Sequence, residues 1–118
     1  MLFTVAPTQV TITGTREAKA GETLTLTCTS SNSNPAATIN WIPQGSSIVN
    51  DRTRTEPSPD GGEITISEID VTLTPQLTSA IYTCSATNNQ LGITVADTAT
   101  VGVLCKYTVV KDSSSVNS

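Results

Sequence analysis

Histidine is absent from the 118 residues. That absence removes Ser-His-Asp and Cys-His nucleophile pairs, imidazole general bases and every His-ligated metal site together, and with them most hydrolytic chemistry. Aromatic residues are scarce at 3%, and charged residues make up only 14%. Six Lys and Arg against ten Asp and Glu leave a net charge of −4, which disfavours nucleic-acid binding because no basic surface is available to neutralise phosphates. No stretch approaches the ~20 apolar residues of a membrane-spanning helix, so direct membrane insertion by this segment is not expected. Residues Met1 to Pro7 lack a basic region and meet a proline before a hydrophobic run could form, so they do not read as a signal peptide. No Asn-x-Ser or Asn-x-Thr sequon occurs, so N-glycans are not expected to shield any face.

What is present leans one way. Together 22 Thr, 10 Val and 9 Ile supply 41 of the 118 residues, and β-branched side chains lose rotamer freedom in helices while packing well on pleated sheets. The length suits one domain that buries roughly 65% of its unfolded surface. Periodicity agrees with an all-β fold. Leu24, Leu26 and Cys28 alternate with threonines after a turn at Ala20-Gly21-Glu22. Residues 30–35 read as a loop, and residues 38–42 as a strand that ends at Pro43, with Ile39 and Trp41 on its inner face. Gly45 and its neighbours turn into a short Ile48-Val49 segment, and Asp60-Gly61 marks a tight turn.

From Glu63 the alternation resumes, with Ile64 and Ile66 on even positions and Ile69, Val71 and Leu73 on odd ones. This phase slip near Ser67-Glu68 implies a bulge or a change of strand. Ala80, Tyr82, Cys84 and Ala86 form a further strand after residues 75–79, and residues 98–104 a last one. With Val10 to Thr13, the count reaches seven or eight short strands at the spacing of an antiparallel sandwich.

One constellation is more specific than the pattern. Trp41 follows Cys28 by thirteen residues, and Tyr82 precedes Cys84 by two. On these residues, and on the runs 20–28 and 79–86, the chain resembles an immunoglobulin-superfamily domain of the I-set or C2-set kind over residues 7–104. The resemblance implies an immunoglobulin-like antiparallel Greek-key β-sandwich with one inter-sheet disulfide, Cys28 to Cys84. Trp41 would pack against that bridge, and Tyr82 would stand at the corner before the penultimate strand, its hydroxyl bonding back to the backbone. Asn34-Pro35 and Asp60-Gly61-Gly62 look most like domains of multi-domain adhesion receptors of the nephrin and sidestep kind. Thr78 departs from the pattern, since variable and intermediate sets usually place an aspartate there; the loss leans toward the C2 type.

A persistent disulfide implies an oxidising compartment, so the resemblance points to an extracellular part of a longer, single-pass cell-surface protein, or to a secreted one. Residues 1–6 read as a junction or the start of the first strand, and residues 105–118 as a linker or disordered segment. Junction-like text at both ends implies an internal domain of a tandem array. Cys105 is the odd thiol: a partly buried inert cysteine, a dimerising thiol or a redox thiol.

Leu26, Ile39, Trp41 and Tyr82 read as core. Asp51, Asp60, Glu63, Asp70 and Asp97 are scattered, so no metal, cofactor or catalytic carboxylate pair is expected. For protein binding, family precedent points to the sheet carrying the C, C′, F and G strands. Outward parity there selects Asn40, Ile42, Gln44, Thr83, Ser85, Thr87 and Thr100, and the F–G connection adds Asn88, Asn89, Gln90 and Leu91. The expected role is a non-enzymatic adhesion or recognition module that contacts another, Ig-like, cell-surface protein or a second copy, or that holds such a binder at a distance. The alternatives are an ectodomain module of a kinase- or phosphatase-type signalling receptor and a secreted immune-recognition protein.

Overall fold

The Thr-Leu alternation of residues 23–28 becomes a strand with Leu24, Leu26 and Cys28 buried and Thr23 and Thr25 exposed. The structure is a computed structural model that describes residues 4–19, 21–44, 47–72 and 79–104, with only the backbone of residues 44, 47, 49, 103 and 104. Its strands are β1 (Val10–Gly14), β2 (Glu17–Lys19), β3 (Thr23–Ser30), β4 (Thr38–Gln44), β5 (Ser47–Pro57), β6 (Glu63–Thr72), β7 (Ser79–Asn88) and β8 (Ile93–Leu104). They form two four-stranded sheets, ordered β1-β3-β6-β5 and β2-β8-β7-β4. Every pairing is antiparallel except that of β2 with β8. Gly14 ends β1 at φ +130°, where a Cβ would stand 2.5 Å from the Thr25 carbonyl oxygen, so the chain leaves β3 where only glycine fits.

The core lies between the sheets. Leu26, Ile69 and Val71 face Tyr82 and Val101, all fully buried, and the Cys28–Cys84 disulfide joins β3 to β7 across a Cα separation of 6.5 Å. Ile39 and Trp41 pack against this core while remaining half-buried. Burial raises the Tyr82 pKa above its ordinary value by desolvating the phenolate. The corner before Tyr82, residues 73–78, lies outside the described residues, as do Cys105 and the segment that follows it.

Three expectations are corrected. No bulge interrupts β6. Thr65, Ser67, Ile69 and Val71 share its buried parity, so Ile64 and Ile66 point outward and the apparent slip is a change of inward residue type. Hydroxyls stand there because they have work to do: Thr65 Oγ1 donates to the Ala37 carbonyl (2.8 Å), and Ser67 Oγ accepts from the Trp41 indole (3.0 Å). The irregularity falls instead on β5, between Ile48 and Asn50. The expected C′ strand is not found among the described residues either. Only residues 45 and 46 separate β4 from β5, too few for a further hairpin, and Ile48 belongs to a strand that pairs with β6 in the opposite sheet. The last strand is longer than expected, running from Ile93. Asp97 hid its first half, since a carboxylate stands at an inward position, where its Oδ2 accepts the Ile12 N–H (2.9 Å) and ties β1 to β8.

Candidate protein-contact face

The two outer faces of the sandwich differ in charge. On β5 and β6 the outward residues include Arg52, Arg54, Glu56, Glu68 and Asp70. Arg52 grips Asp70 with both guanidinium ends, at 3.0 and 3.3 Å, and lies 3.5 Å from Glu68 through Nε. Thr25 Oγ1 adds a 2.8 Å hydrogen bond and Asn50 Nδ2 a 3.4 Å one. These donors, Arg52 first, lower the Asp70 pKa from 3.8 to about 2, and Asp70 in turn raises that of Arg52.

A depressed carboxylate pKa contributes stability that is present above the ordinary value and lost as pH falls through the lowered one. The urea midpoint of the wild type is therefore expected to fall between pH 4 and pH 2 more steeply than that of Asp70→Asn. Parallel pH profiles for the two proteins would contradict the assignment.

The opposite sheet bears its outward charges, Glu17 and Lys19, on the edge strand β2, and its β4, β7 and β8 carry no ionised outward side chain among the described residues. Register aligns Thr38, Thr87 and Thr94 in one row, then Asn40, Ser85 and Ala96, then Ile42, Thr83 and Thr98, and finally Gln44, Ile81 and Thr100. Thr87 and Thr94 hydroxyls meet at 2.9 Å, and those of Thr83 and Thr98 at 3.4 Å. Ile42 and Ile81, 53% and 37% exposed, sit diagonally across β4 and β7, within reach of one another.

Of the residues selected from sequence, Asn40, Ile42 and Thr100 are exposed on this face, and Thr83, Ser85 and Thr87 are half-buried there. Gln44 holds its register position opposite Ile81. Ile81 was overlooked although the parity of Ala80, Tyr82 and Cys84 points it outward. Thr94 and Ala96 were overlooked with the part of β8 that precedes residue 98, and Thr98 although it opens the expected strand.

The β7–β8 turn divides. Asn89, Gln90 and Leu91 are exposed, with Asn89 Nδ2 donating to Thr38 Oγ1 (3.1 Å). Asn88 is fully buried, so it is a structural residue and offers no surface to a partner. Its Nδ2 donates to the Val5 carbonyl (2.9 Å), Ser33 Oγ (3.2 Å) and the Asn34 and Pro35 carbonyls (3.3 and 3.4 Å). Its Oδ1 accepts the N–H groups of Gln90 and Leu91, both at 3.1 Å. One amide thus ties the N-terminal segment, the β3–β4 loop and the turn together. Val5 and Asn34 also exchange two backbone hydrogen bonds of 2.8 Å, which holds the start of the described chain on the domain.

Two sheets clasped by a buried disulfide, with an indole beside the bridge and a buried tyrosine two residues before its second cysteine, define an immunoglobulin-type sandwich. A family model described as the CD80-like C2-set immunoglobulin domain matches residues 4–92, and the chain belongs to that family. No curated protein matches it. In the family's lettering β3, β4, β7 and β8 are the B, C, F and G strands. Domains of this kind commonly mediate protein–protein contacts and are typically non-enzymatic, and the inter-sheet disulfide suits an extracellular setting.

Proposed function

We propose that this domain is a non-enzymatic recognition module of an extracellular, multi-domain cell-surface adhesion receptor. Its β4–β7–β8 face and the exposed turn at residues 89–91 bind an immunoglobulin-like domain, first of all a second copy of itself. The observation that carries this reading is the segregation of charge. Removing the hydroxyl-lined face from water strands no ion, whereas burying the β5–β6 face would have to desolvate two arginines and three carboxylates. A threonine hydroxyl both donates and accepts, so such a face is complementary to itself, and Ile42 and Ile81 supply its apolar centre. Two copies of net charge −4 repel one another less through this face than through one carrying carboxylates.

Sedimentation velocity of the Cys105→Ser protein over a concentration series tests the reading. A reversible dimer, insensitive to reductant and lost in both Ile81→Asp and Leu91→Asp, is the expected result. A monomer at every concentration contradicts recognition of a second copy.

A further inference from the structure

Among the described residues the sandwich is open along one side. β4 is the last strand of one sheet and β5 the last of the other. β4 lies over β6, as the contacts of Trp41 with Ser67 and of Ala37 with Thr65 show. Past Ile48, which packs against the core, no described strand lies over β5, and Thr53 Oγ1 donates to Ser67 Oγ (3.1 Å). Asp51, Thr53 and Thr55 stand in register with the buried Ile69, Ser67 and Thr65, at the parity that turns toward the interior, yet all three are exposed. They form a shelf one strand wide, beside the free edge of β4.

We infer that this shelf and edge take one extended segment of a partner protein, added antiparallel to β4 as a fifth strand of its sheet. The edge itself is suited to pairing. Residues 38–44 carry no charge, and Pro43 blunts the edge only near its end, whereas β5 carries Arg52, Arg54 and Glu56 outward and Asp51 at an inward position. Pro43 stands opposite Tyr82 in the β4–β7 ladder, and a proline in a paired strand turns its nitrogen away from the ladder. Ile39 and Trp41 share its parity. Their N–H and C=O groups therefore face the open side, where an extended backbone satisfies them.

The side chains specify the segment. β-branched residues opposite Ile39 and Trp41 make cross-strand pairs with these half-buried neighbours and cover Thr55 and Thr53. Asp51 is an exposed carboxylate with no ion pair or side-chain hydrogen bond among the described residues, and it lies two residues before Thr53, as Pro43 lies two residues after Trp41, whose indole reaches the Thr53 partner Ser67. A lysine or arginine opposite Pro43 meets it. Because the segment runs antiparallel to β4, its inward residues read, in order, cation, β-branched, β-branched, each separated by one outward residue.

Trp41 is the chain's one tryptophan, so its emission reads this site. The probe is the peptide acetyl-Thr-Lys-Thr-Val-Thr-Val-Thr-amide, titrated into the full chain. A saturable blue shift of Trp41 emission is expected. It is abolished when both valine nitrogens of the peptide are methylated and kept when the two threonines preceding the valines are methylated instead. Asp51→Asn raises the half-saturating concentration about three-fold, as suits an exposed ion pair. The proposal is overturned by the absence of a saturable shift, or by a shift that valine methylation or Asp51→Asn leaves unchanged.

Discussion

Replacing Cys28 and Cys84 together by alanine is expected to cost about 4 kcal/mol of folding stability. The bridge spans 56 residues, and on the chain-entropy account a loop of that length restricts the unfolded ensemble by roughly that amount. Both cysteines are fully buried in the same core cluster as Leu26, Ile69 and Tyr82, so their replacement also takes packing from the core. Against a total of about 5–15 kcal/mol for a domain of this size, the loss brings the variant close to unfolding at body temperature. Urea unfolding followed by Trp41 emission checks this, with reduction of the wild type as an independent arm. A variant within about 1 kcal/mol of the wild type would show that the core, rather than the bridge, carries the fold.

Asn88→Ala is expected to cost about 2–4 kcal/mol, the second largest effect. The carbonyls of Val5, Asn34 and Pro35 lose a shared donor, the N–H groups of Gln90 and Leu91 lose their acceptor, and several of these groups sit where water has little access. Asn88→Asp separates hydrogen bonding from packing. It keeps the size and the acceptor for Gln90 and Leu91, but sets a carboxylate oxygen against three carbonyl oxygens, so it is expected to be at least as damaging as alanine. Amide exchange should accelerate together at Val5, Asn34, Gln90 and Leu91. Loss confined to the turn, or a stability change below about 1 kcal/mol, would contradict the linking role of this amide.

Much of the fold was legible because its signals are local. The alternation in β3 and β7 and the spacing of Cys28, Trp41, Tyr82 and Cys84 depend on parity along single strands, and parity survives into the structure unchanged. The misreadings share another cause. At Thr65, Ser67, Asp97 and Asn88 polar residues occupy inward positions because each meets a partner supplied by a distant segment, and a hydropathy pattern registers only their polarity. The C′ strand not found among the described residues belongs to the same class, since Ile48 reads as strand in either sheet and only its pairing with Val71 decides which. Outward parity found most of the uncharged face, but the contrast with the charged face needed the register of β5 on β6, where Arg52 meets Glu68 and Asp70.

Amide chemical shifts of the Cys105→Ser protein, recorded across a concentration series, test the central claim that the uncharged face is the recognition surface. The account predicts concentration-dependent shifts that cluster on Asn40, Ile42, Ile81, Thr83, Thr98, Thr100 and Leu91, while Thr25, Arg52, Glu68 and Asp70 stay constant. Shifts centred on the Arg52–Asp70 face, or a spectrum that does not change with concentration, would contradict it.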